Sequence, residues 1–199
     1  MSNKKYRSYA EFLAPFCMEY DKSLVVLLME VPIEGLIVYL GSLGDYVFHQ
    51  TMYAYVGATF DENVEKRRKS LWRWRKSHIE YFLSNPFIRI TGRCCRPADD
   101  NLTIHNVAGR MRWYGVAVKG FEVYDCNCES HLVRVENTYG LLEELANLGF
   151  KCFLGNDALK NVGNEIIDFL NKRMKNAEKA YGLLYKQFFG SGERNDLSP

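Results

Sequence analysis

Proline is scarce in this 199-residue chain, with 5 in all, and neither a low-complexity tract nor an internal repeat accompanies it. That composition excludes collagenous, mucin-like and largely disordered chains. Long hydrophobic runs are missing as well. The most apolar region, Leu24 to Phe48, is interrupted by Glu30, Pro32, Glu34 and Asp45. Its longest uncharged piece, Gly35 to Gly44, is far short of a bilayer span. The basic start MSNKKYR leads into no apolar stretch and no small-residue cleavage site, so it does not read as a secretory signal. Neither end carries a lipidation motif. These absences set the expectation of a cytoplasmic protein without membrane contact.

Catalytic signatures are absent in the same way. The sequence contains no GxxxxGK phosphate loop, no GxGxxG, no HExxH and no GxSxG. A cysteine nucleophile served by His105 or His131 is imaginable in any chain with 6 Cys and 4 His, which makes it uninformative. Gly155-Asn156-Asp157 follows an expected strand, but Asn156 or Asp157 is placed to cap the helix that comes next. His49 and His78 read as packed or surface residues. No constellation satisfies the separate roles of an active site, so a non-catalytic function is expected.

What is present is bulk and an uneven distribution of charge. Hydrophobic residues make up 47% and aromatics 14%, ample for a packed core. The formal net charge is only +2, but the middle of the chain differs from the rest. Of the 26 basic residues 12 lie between Lys66 and Arg112, with 3 of the 24 acidic ones, a net of +9. The remaining 14 basic and 21 acidic residues give −7. Seven of the basic residues fall in the thirteen positions KRRKSLWRWRKSH, Lys66 to His78, which hold no acid. Such asymmetry points to an anionic partner.

The expected fold is α+β, a single compact domain over residues 1–189 with a flexible tail at 190–199. Tyr6 to Tyr20 reads as a helix, and Leu24 to Val31 as a buried strand. Ile33 to Tyr55 reads as one or two core helices. Asp61 caps a helix that runs to about Leu83 and stops before Asn85-Pro86. Phe87–Thr91, Leu102–Val107, Arg110–Val118 and Phe121–Tyr124 read as strands of a central antiparallel meander. His131–Val135, Tyr139–Leu148 and Lys151–Leu154 form a β-α-β unit. A long C-terminal amphipathic helix, Ala158 to Phe189, closes the chain.

On a helix, Lys66, Lys69, Arg73 and Lys76 project within about 80° of one another and make one positive stripe. Arg68 and Arg75 align a heptad apart with Trp72 beside them. Cations neutralise phosphates and aromatic faces accept unstacked bases, so this pattern suits RNA or single strands. Arg93 and Arg96 are expected to extend the surface from the neighbouring sheet. The favoured reading is therefore nucleic-acid binding with modest sequence specificity. The plain alternative is a solvated face, with Glu62 and Glu80 forming intrahelical pairs. A further alternative is an adaptor or inhibitor that grips an acidic protein through the same face or the last helix, whose apolar stripe also suits a homodimer.

The cysteines are expected as reduced thiols, with Cys17 and Cys152 in the core. No cofactor is expected, although one cluster is chemically suited to zinc. Cys126, Cys128 and His131, with Cys94 or Cys95 and with His105 nearby, offer the ligand types zinc prefers. The spacing is unlike the usual Cys-x2-Cys knuckle. Adjacent Cys94 and Cys95 on a strand point to opposite faces, which leaves free thiols as the first reading.

Overall fold

The computed structural model describes Cys17 and residues 22–59, 77–124 and 126–155. Its centre is β1 (Ser23–Val31), flanked by β4 (Thr51–Ala58) and β5 (Arg89–Pro97), both antiparallel to it. Outside these lie β7 (Leu132–Val135), β6 (Gly115–Ala117) and β8 (Lys151–Leu154), giving the order β6-β7-β4-β1-β5-β8 with every pair antiparallel. A separate hairpin joins β2 (Leu36–Tyr39) to β3 (Asp45–Phe48). Three short helices are among the described residues: α1 (His78–Ser84), α2 (Ile104–Met111) and α3 (Thr138–Asn147).

The β1 sequence SLVVLLMEV is apolar on both faces because both faces are covered. Val25, Leu27, Met29 and Val31 enter one core with Tyr53, Tyr55, Ile79, Phe82 and Phe121, under α1 and the β2–β3 hairpin. Leu24, Val26 and Leu28 enter the other with Ala54, Val107, Met111, Leu141 and Leu145, under α2 and α3. Strand alternation sends successive side chains to opposite layers, so a strand between two layers needs an unbroken apolar run.

Several expectations are corrected. The described part is mostly strand, a six-stranded antiparallel sheet with short helices, and no helical N-terminal part emerges from Ser23 onward. Ile33–Tyr55 forms β2, β3 and most of β4 in place of core helices. Exposure alternates along Leu36–Tyr39 with period two, and Gly41 and Gly44 take positive φ at the hairpin turn. Leu102–Val107 enters α2 because Thr103 caps the helix and exchanges hydrogen bonds with Asn106 in a capping box. Phe121–Tyr124 is a turn, with Glu122 at φ 57°. The helix expected from Asp61 to Leu83 does not run unbroken, because Ser77 is extended and caps a new start at His78 through its own capping box with Glu80.

The β7-α3-β8 unit is present, but β4, β1 and β5 separate its two strands. The expectation of reduced thiols is corrected for four cysteines, since Cys17 is bonded to Cys95 and Cys94 to Cys152, while Cys126 and Cys128 are free. The opposite aim of Cys94 and Cys95 holds, one in each core. The expected helices Tyr6–Tyr20 and Ala158–Phe189, the stripe Lys66–Lys76 and the tail 190–199 lie outside the described residues. Among the described residues, no helix is long and apolar enough to cross a membrane.

Candidate metal centre

The β6–β7 connection is closed at its neck by the backbone. Val118 N–H donates to Leu132 O, Gly120 N–H to Glu129 O and His131 N–H to Phe121 O. Val56 N–H donates in turn to His131 O, which ties the loop to β4. The imidazole of His131, 4% exposed, is thereby fixed beside the sheet. Cys126 and Cys128 project from the same loop. His105 reaches it from α2, where it is the second helical residue, and the capping box at Thr103 sets the angle of that first turn.

These four side chains converge. Cys126 Sγ lies 3.5 Å from His131 Nε2, and Cys128 Sγ lies 3.4 Å from His105 Nδ1. The two imidazole centroids are 5.5 Å apart, and one ligand atom from each residue falls within 4.8 Å of all the others. Zinc binds sulfur at about 2.3 Å and nitrogen at about 2.0 Å, so a tetrahedral S···N edge spans about 3.5 Å. Both cross pairs meet that length. The donors are two thiols and two imidazoles, a set that closes the coordination of a structural zinc with no position left for substrate.

Burial sets the protonation states of the metal-free cluster. Burial, reinforced by Cys126 nearby, pushes the Cys128 thiol up to about 11, against a smaller opposing pull from Arg112. Burial first, and the charge of His105 second, bring His131 down to about 4. The imidazole is therefore in its neutral, ligating form at pH 7, while the thiol keeps its proton until a metal displaces it. Arg112 pairs with Glu129 at 2.8 Å and so braces the loop from the end of α2.

Of the residues singled out from sequence, the structure brings Cys126, Cys128 and His131 together. It excludes Cys94, whose sulfur is committed to Cys152 across the β5–β8 pair. Its place is taken by His105, whose adjacency in sequence was visible but whose approach depends on α2 being a helix. Arg93 is not a surface residue. It is 1% exposed, with its guanidinium carbon 4.4 Å from the centroid of Phe153 and one nitrogen 3.8 Å from Cys95 Sγ. Arg96 donates to Leu148 O at 2.6 Å and pairs with Asp99. Arg110, Arg112 and Arg134 pair with Glu144, Glu129 and Glu136. Of the two sheet arginines expected to extend the surface, Arg93 is thus buried and Arg96 is paired with the protein's own Asp99. Lys66, Arg68, Lys69, Trp72, Arg73, Arg75 and Lys76 lie outside the described residues.

Fold and site together define a sheet domain covered by helices on both faces, with a Cys2His2 cluster shared between one inter-strand loop and the first turn of α2. The chain belongs to the family described as domain of unknown function DUF123, whose model matches residues 25–153, from β1 to β8 and including all four cluster residues. No curated protein and no solved structure matches it.

Proposed function

We propose that this chain is a zinc-holding domain in which the metal is structural, and that the domain serves as a non-catalytic binding module. The observation that carries the zinc reading is the approach of His105, Cys126, Cys128 and His131 to within 4.8 Å, from two elements that meet only in the fold. Zinc would join the β6–β7 loop to the start of α2, and the protein supplies all four ligands. Elemental analysis of protein purified without chelator should give about one equivalent of zinc, as a closed four-ligand site requires. Cys128→Ser combined with His105→Ala should reduce it to below about a tenth of an equivalent. A wild-type value that low would overturn the reading.

The partner we propose is a polyanion, RNA or single-stranded nucleic acid in the first place. The charge run Lys66 to Lys76 supports it, with seven basic residues and no acid ahead of Ser77. Because Arg93 and Arg96 are engaged internally, the recognition rests on that run alone. A titration with a single-stranded oligonucleotide should show log K falling with log salt at a slope near −3, the value for about four phosphates. Replacing Lys66, Lys69, Arg73 and Lys76 by Gln should flatten the slope. Absence of binding at low salt, together with a nuclease-resistant complex in a pull-down, would transfer the role to an acidic protein partner.

A further inference from the structure

The loop that carries Cys126, Cys128 and His131 has a second attachment that the metal reading does not use. Its other half clasps the first turn of α1. Glu122 N–H donates to His78 Nδ1 at 3.0 Å, and Ile79 N–H donates to the Glu122 carboxylate at 3.1 Å. The Tyr124 hydroxyl lies 2.5 Å from His78 Nε2, and Ser42 Oγ lies 2.9 Å from the same nitrogen. The His78 ring is buried against Phe121, with centroids 5.6 Å apart. Because Nδ1 accepts an N–H, the neutral ring carries its proton on Nε2. In that form Nε2 donates a hydrogen bond and does not act as a base toward Ser42. His78 is a joint between the hairpin turn, α1 and the loop.

Glu122 holds this joint at a strained position. Its φ of 57° is the one positive value of a non-glycine residue among the described residues. Such a conformation persists only where the surroundings over-determine it. Here they are the bonds of Glu122 to His78 and Ile79 and, at the adjacent residue, the bond from His131 N–H to Phe121 O; Cys126 follows Tyr124 with one residue, Asp125, between them in the sequence. The joint and the cluster are thus two anchors of one loop, tied at its neck by the Val118–Leu132, Gly120–Glu129 and Phe121–His131 backbone bonds. Fixing either anchor removes conformational freedom that the other would otherwise have to restrict, and this makes the two events mutually favourable.

We propose that metal occupancy and the seating of His78 are coupled, so that zinc at His105, Cys126, Cys128 and His131 locks the first turn of α1 to the β6–β7 loop. This inference rests on the zinc reading. Its test uses the full chain and two readouts. Chelator competition should show Tyr124→Phe and His78→Gln holding one equivalent of zinc with affinity reduced at least fivefold, the lower end of typical coupling. Stripping zinc from the wild type should speed hydrogen exchange of the Ile79 and Glu122 amides by a similar factor, while the β1 amides stay protected. Zinc affinity within twofold of wild type in both variants would overturn the coupling. So would unchanged α1 exchange on stripping, or loss of β1 protection with it. Less than about a tenth of an equivalent in the wild type would instead mark the failure of the zinc reading itself.

Discussion

β1 and the β6–β7 loop represent two ways of holding a chain in place. β1 is paired on both edges and buried on both faces, and its side chains are apolar except for Ser23 and Glu30. Beyond the sheet ladder, directional bonds join Thr59 to Ser23 and Thr91 to Leu28 O. The loop has few large apolar side chains apart from Phe121, and relies on backbone neck bonds, the His78 joint, the Arg112–Glu129 pair and four converging ligands. Area burial is tolerant of small shifts, whereas a metal or hydrogen-bond cluster depends on position. Stability and site geometry are therefore expected to fail separately in the two regions.

The largest separation is expected from Leu27→Ala. Leu27 is fully buried in β1, so the substitution should lower unfolding free energy by about 2–5 kcal/mol through lost burial and the cavity left behind. Denaturant titration measures this, and zinc stoichiometry below the transition should be unchanged. A Leu27→Ala chain that stays stable yet loses zinc would break the division between the two regions.

The next effect belongs to the loop and depends on pH. In the metal-free chain His131 is held at about 4 by burial and by the charge of His105, against 6.5 for the ordinary side chain. The unfolded state therefore binds more protons between these values. The contribution is fully present above about 6.5, and it is lost as pH falls toward about 4, with a total on the order of 3 kcal/mol. Chelator-treated protein should lose stability through that window, and His131→Gln should remove most of the slope. A slope that survives His131→Gln undiminished would assign the pH dependence to other groups. Zinc binding should also release a proton from Cys128, whose thiol lies at about 11, so that affinity rises with pH through the neutral range.

The same division explains what the sequence revealed. β1, β7, α3 and β8 were legible because an unbroken apolar run, a short β-branched run and a helix ended by Gly149 each carry their signal locally. Ile33 to Tyr55 was not, since its small and apolar residues suit a buried helix as well as strands, and the period-two exposure appears only when one hairpin face meets α1. Cys126, Cys128 and His131 were found from ligand chemistry. His105 was missed as the fourth member, because Leu102–Val107 reads as a strand unless Thr103 and Asn106 are recognised as a capping box. Cys94 was misassigned because its partner is fixed by the β5–β8 register, which places Cys152 opposite it. Arg93 looked cationic and exposed by charge alone, and only its place on the central sheet turns it inward.

The smallest expected effect tests the element that straddles both regions. α2 buries Val107, Ala108 and Met111 against the sheet and offers His105 to the loop. Thr103 begins it, accepting from Asn106 N–H while Asn106 Oδ1 accepts from Thr103 N–H. Thr103→Ala removes that side-chain acceptor and should cost about 1 kcal/mol of stability, the usual value of a lost cap. The buried face of α2 keeps the helix docked, so the first turn frays without leaving the sheet. His105 lies in that turn, and zinc affinity should therefore fall as well, by less than about tenfold, because the affinity lost cannot exceed what the cap contributes to holding the turn. His105→Ala, by contrast, removes a ligand from an exposed position and should reduce affinity far more while leaving the metal-free stability within about 0.5 kcal/mol. If Thr103→Ala lowered stability but left zinc affinity untouched, the first turn of α2 would not be what aims His105 at the cluster.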